Sequence, residues 1–151
     1  MSLLSQPGGI VAVFPGGAVG MFGPRGFTRR PEVADVLDPF EAGDPAADII
    51  GFSGLPRAEA VRLLALLPAN QADVAAPGAP TFAQLLSLTR RCATARFDGF
   101  RLSSRRFDER IVLDSVTFSG DDVTPARRRR LAALQPTTLE ERDHLLVARW
   151  A

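Results

Sequence analysis

Cysteine and histidine each occur once in this chain, at Cys92 and His144. With an aspartate, a thiol and an imidazole are the groups of a nucleophilic catalytic triad. However, the spacing of Cys92 places it with Phe82 and Leu85 on the apolar face of a predicted helix, where a thiol is ordinarily buried and inert. His144 has the surroundings of a surface or capping residue. The sequence therefore predicts no catalytic residue of either type.

Residue counts exclude several kinds of site. One cysteine and one histidine cannot form an intramolecular disulfide, a Cys/His zinc site or the two-histidine motif of metalloproteases. All 18 basic residues are arginine, so the chain has no lysine for a Walker A loop, a kinase active site or a Schiff base. We expect no metal and no cofactor, although a carboxylate-only metal site stays compatible with the composition.

Carboxylates and arginines are the groups that remain for an enzyme. Asp98, Asp108 and Asp114 lie in the same part of the sequence as Arg101 and Arg110. A well-formed pocket around an aspartate with a raised pKa would favour this hypothesis. Because the sequence contains no convincing catalytic constellation, a small carboxylate/arginine enzyme is the third functional hypothesis.

Four consecutive arginines at 127–130 form the most conspicuous charged run. Arginine presents a planar fork of donors that suits phosphates and carboxylates. The run falls in the first turns of a helix predicted over 125–134, where the helix dipole disfavours positive charge, so we expect an anionic neighbour. That neighbour is an acid of the same chain, an acidic protein surface or a nucleic acid. The candidate partner-binding residues are Arg128, Arg129 and Arg130.

Further arginines alternate with phenylalanines between residues 90 and 110. RNA-binding sheets have a similar mixture, but the glycine-bracketed aromatic motif of that class is absent. We therefore predict that Phe97, Phe100 and Phe107 belong to the core. Nucleic-acid binding by the arginine-rich C-terminal half is the second functional hypothesis, and the net charge of only +1 argues against it.

The first 24 residues carry no charged side chain. A secretory signal needs a positively charged start, and a membrane-spanning helix needs about 20 apolar residues, which prolines and glycines interrupt here. We therefore expect a cytoplasmic protein without a membrane span. Apolar runs at 10–14 and 18–22 flank a Pro-Gly-Gly turn, a pattern typical of a β-hairpin.

This uncharged hairpin has two possible roles. It is buried in the protein's own core, or it is an arm that pairs with another subunit, because an uncharged strand lacks the features that protect sheet edges. The apolar candidate partner contacts are Phe14, Met21 and Phe22. The leading functional hypothesis is a non-catalytic protein-interaction or assembly subunit, whose partner is another protein or a second copy of the chain.

Glycine and proline concentrate in the first half, with 11 of 13 glycines and 10 of 12 prolines in residues 1–80. Residues 1–47 are predicted to be the hairpin followed by irregular loop. Hydrophobic periodicity and capping residues then predict a strand at 49–52, helices at 56–67 and 81–92, strands at 97–104 and 110–118, and helices at 125–134 and 139–150. The last of these segments also fits a strand.

Together these elements predict one α+β domain over residues 1–151. Three or four helices pack on a small, mostly antiparallel sheet. The N-terminal region, 1–47, is long, irregular and rich in glycine and proline, and residues 48–151 form the main body.

Overall fold

The computed structural model describes residues 18–151. Within this range the chain forms four α-helices and one five-stranded antiparallel sheet, so the α+β prediction is confirmed. The helices are α1 (Pro31–Leu37), α2 (Arg57–Leu66), α3 (Phe82–Leu88) and α4 (Pro125–Ala132). The strands are β1 (Ile49–Pro56), β2 (Arg96–Leu102), β3 (Ile111–Ser119), β4 (Thr138–Arg142) and β5 (Leu145–Arg149), and their order in the sheet is β1-β2-β3-β5-β4.

Side-chain caps define the starts of two helices. The Gln84 N–H donates to Thr81 Oγ1 at 3.1 Å, and Gln84 Oε1 accepts from the Thr81 N–H at 2.8 Å. This reciprocal pair is the capping box that the sequence predicts for α3. Thr124 begins α4 by accepting the Arg127 N–H at 3.1 Å. Both helices therefore start where their capping residues predict.

The segment 23–47, predicted to be mostly loop, contains one α-helix that the prediction misses, which is α1. Pro31 occupies its first turn, where a backbone N–H is not needed. Val33, Val36 and Leu37 recur at helical spacing and are buried. The frequent prolines conceal this short helix in the sequence, since one of them is its own first residue.

The prediction of a helix over 139–150 is also wrong, because this segment forms β4 and β5. Asp143 and His144, with φ angles of 51° and 66°, make the two-residue turn between the strands. Leu146 and Ala148 are buried, while the residues next to them are more exposed. This period of two belongs to a strand whose one face lies on the core.

Only the second run of the predicted N-terminal hairpin, 18–22, lies within the described residues. It forms no strand of the sheet, and Val19 instead makes one isolated antiparallel bridge with Pro24. The segment is therefore a tight loop. The first run, 10–14, and with it Phe14, lies outside the described residues.

The helices cover one face of the sheet. Phe97, Val116 and Ala148 are paired across β2, β3 and β5, and all three are completely buried. Every helix contributes side chains to the same cluster, including Val33, Leu63, Phe82 and Leu131. The core is therefore continuous from α1 to β5, and it fixes the loops that carry the candidate sites.

Candidate functional site

Three large apolar side chains are exposed on two loops that touch each other. Val19, Met21 and Phe107 expose 65%, 55% and 53% of their surface. The Met21 N–H donates to the Phe107 carbonyl at 2.8 Å, so the loop at 18–25 runs against the connection between β2 and β3. We call these three residues the Met21 patch. Exposed apolar side chains gathered in one place mark interaction sites on protein surfaces.

Phe22 anchors the loop that carries the patch. Its partly buried ring packs against a small buried cluster that contains Val74 and Val112. The guanidinium of Arg110 lies 5.5 Å from the centre of the ring, within the range of a cation–π contact. The structure therefore turns Met21 to solvent and holds the neighbouring Phe22 within the chain.

The core prediction for three phenylalanines has three outcomes. Phe97 is completely buried, as predicted, and Phe100 is partly buried. For Phe107 the prediction is wrong, because its side chain is 53% exposed. The reason is its position in the β2–β3 connection, where the alternation of a strand no longer directs side chains to the core.

A buried carboxylate ties the first loop to the β2–β3 connection. Glu109 is 1% exposed and accepts three hydrogen bonds through its two carboxylate oxygens. Its donors are the Gly26 N–H at 2.7 Å, the Thr28 N–H at 3.0 Å and the Thr28 hydroxyl at 2.6 Å. Hydrogen bonds to a charged acceptor are the stronger kind, so Glu109 fixes the backbone just after the patch loop.

Two buried arginines strengthen the same junction. Arg25 Nε and Nη2 donate to the Ser104 carbonyl at 3.1 and 2.9 Å. Arg101 forms a two-pronged pair with Glu41, at 2.9 and 2.8 Å, and also donates to the Thr28 carbonyl at 2.9 Å. Burial raises the pKa of Glu41, and Arg101 acts in the opposite direction. These contacts join segments that lie 60 or more positions apart in the sequence.

Two arginines of the run at 127–130 lie near acidic residues of the same chain. Arg127 Nη1 donates to the Asp122 carbonyl at 2.5 Å, and Arg128 Nη1 lies 3.8 Å from a carboxylate oxygen of Glu141. Arg129 and Arg130 are exposed. The anionic neighbours of Arg127 and Arg128 are therefore acids of the same chain, which is one of the three alternatives. Arg129 and Arg130 lie in the last turn of α4, where the helix dipole favours positive charge.

Cys92 and His144 do not form a catalytic pair in the described residues. Cys92 is 2% exposed, and burial raises the pKa of its thiol against the opposing charges of Arg127 and Arg57. A thiol that is buried and kept protonated is a poor nucleophile. His144 lies exposed in the turn between β4 and β5. The prediction that Cys92 is buried is therefore confirmed.

The turn before β2 is fastened to the segment that precedes α4. The Thr94 hydroxyl donates to Asp122 Oδ2 at 2.5 Å, and the Thr94 N–H donates to the same oxygen at 2.9 Å. These hydrogen bonds lower the pKa of Asp122. Since the folded-state pKa lies below the unfolded value, this stabilisation is present above roughly pH 4 and is lost as the pH falls through the folded-state pKa.

We expect Thr94→Val to lower the free energy of unfolding by about 1 kcal/mol at pH 7, because it removes the hydroxyl donor of a charge-assisted hydrogen bond. The difference from the native chain should shrink as the pH falls below roughly 4, where the carboxylate takes up a proton. Urea unfolding at neutral and acidic pH measures both values. An equal difference at both pH values would contradict the role of Asp122.

Among the carboxylates and arginines of the enzyme hypothesis, Asp108 and Arg110 form an ion pair. Arg106 and Arg110 lie 2.8 and 3.0 Å from Asp108 at the surface and hold the pKa of that carboxyl well below its usual range. Arg101 is occupied by Glu41, as described above. Asp98 and Asp114 interact with each other, since burial, followed by the charge of Asp98, raises the pKa of Asp114.

Grooves of ligand size lie elsewhere on the described surface. Three open grooves have volumes of about 410, 460 and 470 Å³. Neither Asp98 nor Asp114 lines any of them. Asp114, whose pKa is raised, is therefore not enclosed in any of these three grooves. The enzyme hypothesis requires a pocket around such an aspartate, and these grooves do not provide it.

Comparisons with known proteins add no family to this geometry: no family model, no curated protein and no solved structure matches the chain. Among residues 18–151, no helix is both long and apolar enough to cross a membrane. The same residues hold no group of three or more His, Cys, Asp or Glu side chains arranged for a metal ion. Functional inference therefore depends on the surfaces described here.

Proposed function

We propose that this protein is a non-catalytic assembly subunit that associates with a second copy of itself through the Met21 patch. The exposure of Val19, Met21 and Phe107 on two joined loops carries this proposal. Half of the large exposed apolar side chains of the described residues belong to this patch. Burying them in an interface removes apolar surface from water, which is the main driving force of association.

The loop behind the patch is held rigidly. Five hydrogen bonds hold this loop, of which Glu109 accepts three and Arg25 donates two. All five are buried or partly buried. Taking charged groups out of water costs free energy unless hydrogen bonds compensate. Since the loop is fixed before a partner arrives, less conformational entropy is lost on binding, and this supports a contact surface.

The charge balance favours a second copy as the partner. The chain carries 18 basic and 17 acidic residues, so two copies repel each other little. The first 24 residues, which include Val19 and Met21 of the patch, carry no charged side chain either. A stable interface buries about 800 Å² on each partner, so three side chains are the centre of a larger contact.

We expect Met21→Ser with Phe107→Ser to weaken self-association about 100-fold, because losing two apolar anchors costs about 3 kcal/mol. Ile49→Ser with Leu145→Ser is the matched control, since these side chains are 52% and 43% exposed outside the patch. Light scattering across a dilution series measures the mass. The native chain and the control should exceed 16.2 kDa, and the patch variant should be monomeric.

A native chain that stays at 16.2 kDa at every concentration would contradict the proposal. The same holds if the patch variant and the native chain associate equally. Absorbance at 260 nm is recorded in the same runs to detect nucleic acid. The arginine run supports no second proposal, because Arg127 and Arg128 face acids of the same chain and the remaining two arginines complement the end of α4.

A further inference from the structure

The face of the sheet opposite the helices carries a row of polar residues. Asp98, Ser115 and Arg149 are paired across β2, β3 and β5, directly beside the buried row of Phe97, Val116 and Ala148. Successive residues of a strand point to opposite faces. The side chains of the polar row therefore point away from the helical side of the sheet.

Ser115 has a hydroxyl without a partner in this row. The residue is 1% exposed, and its Oγ makes no hydrogen bond within the described part of the chain. A buried hydroxyl that loses water without gaining a partner costs free energy. Its register pairs it with Asp98, so the two side chains are neighbours on the same face of the sheet.

A β-bulge brings a second carboxylate to the same place. Asp98 is paired with Ser115 and Gly99 with Leu113, so Asp114 is the extra residue of β3. A bulge of this kind sets two successive residues against one partner and redirects a side chain. Asp114 therefore lies beside Asp98, close enough for the two charges to interact.

The carboxylates have few donors of their own. Asp98 Oδ1 accepts the Gly54 N–H at 2.9 Å. Asp98 Oδ2 lies 3.9 Å from Arg149 Nη1, which is beyond hydrogen-bonding distance. Asp114 also accepts a hydrogen bond from its own backbone N–H. Two carboxylates and one guanidinium leave a net negative charge at the bulge, where Asp98 Oδ2 has no hydrogen-bond donor among the described residues.

We propose that Asp98, Asp114 and Ser115 form a site for one hard divalent cation, of the class of Mg²⁺, Mn²⁺ and Ca²⁺. Such cations take oxygen ligands, and Mg²⁺ sites commonly use one or two carboxylates and complete the coordination with water. A bound cation supplies the partner that the Ser115 hydroxyl lacks and offsets the repulsion between the carboxylates. The site does not depend on the Met21 patch.

The test uses the full-length chain after treatment with EDTA and dialysis. Mn²⁺ is titrated in, the electron paramagnetic resonance of free Mn²⁺ is followed, and Mg²⁺ and Ca²⁺ are then added as competitors. We expect Asp98→Asn and Asp114→Asn to weaken Mn²⁺ binding about tenfold or more, and Ser115→Ala to weaken it several-fold, since each removes one ligand. Circular dichroism confirms that each variant is folded.

Asp108→Asn is the matched control, because Asp108 is an acid of the same region that two arginines already neutralise. It should bind Mn²⁺ like the native chain, and so should the double patch variant. The proposal is overturned if the native chain binds no Mn²⁺, or if Asp98→Asn and Ser115→Ala bind it as tightly as the native chain. If Asp114→Asn does not fold, these two variants decide the question.

Discussion

Gly99→Ala is expected to lower the free energy of unfolding by more than about 4 kcal/mol, the largest loss expected for a glycine-to-alanine change among residues 18–151. Gly99 lies in β2, an inner strand between β1 and β3. A Cβ added there would lie 1.9 Å from the Val112 carbonyl oxygen and 2.8 Å from the ring of Phe52. The closer atom belongs to the backbone of the adjacent strand, so the clash cannot be relieved by a side-chain rotation.

Gly51→Ala provides the control for this prediction. Gly51 lies in the adjacent strand β1, and a Cβ at that position would meet its nearest atom, the Gly99 carbonyl oxygen, at an ordinary 3.9 Å. We expect a change of less than about 1 kcal/mol there. Urea unfolding followed by the fluorescence of Trp150, the single tryptophan, measures both variants. Similar urea midpoints for Gly99→Ala and Gly51→Ala would contradict the close packing of Gly99 against the backbone of β3.

Glu109→Ala is expected to lower the free energy of unfolding by about 3 kcal/mol, because it leaves two buried donors and one partly buried donor without an acceptor. In a domain of this size such a loss lowers the melting temperature by roughly 6 to 12 °C. The lost hydrogen bonds are those that fix Gly26 and Thr28. The variant should therefore also weaken self-association, since the patch loop is no longer held in place.

Asp108→Ala is the control. Asp108 directly precedes Glu109 in the sequence, but its carboxylate forms partly exposed ion pairs. Its side chain is 28% exposed and is paired with Arg106 and Arg110. Water screens these partly exposed ion pairs, so we expect a smaller loss than for Glu109→Ala, about 1 to 2 kcal/mol. Thermal unfolding of both variants gives the comparison. Equal losses would show that Glu109 is no more important to the fold than a surface acid.

Local sequence patterns predict the elements that have their own start signals. The capping box at Thr81 and the cap at Thr124 each act within one turn of a helix, so the sequence contains the whole interaction. The strands β2 and β3 follow from their apolar alternation. By contrast, the segment at 139–150 fits both a helix and a strand, and its outcome depends on pairing with β3, which no local pattern shows.

The candidate sites depend on contacts between distant segments. Met21 is conspicuous because its surroundings are uncharged, but its neighbour in the patch, Phe107, lies 86 positions away. Nothing near Glu109 in the sequence indicates that its carboxylate accepts hydrogen bonds from the loop at 26–28. The bulge at Asp114 arises from the register between two strands, so the sequence alone does not place Asp98 beside it.

The most direct test of self-assembly is a spectrum of the methionine methyl groups. The chain contains two methionines, so ¹³C-methyl labelling gives one signal from the patch, which Met21→Leu assigns. The assembly proposal predicts that the Met21 signal changes between high and low protein concentration and that Phe107→Ser abolishes this change. A Met21 signal that is the same at every concentration, in a chain whose mass stays at 16.2 kDa, would contradict it.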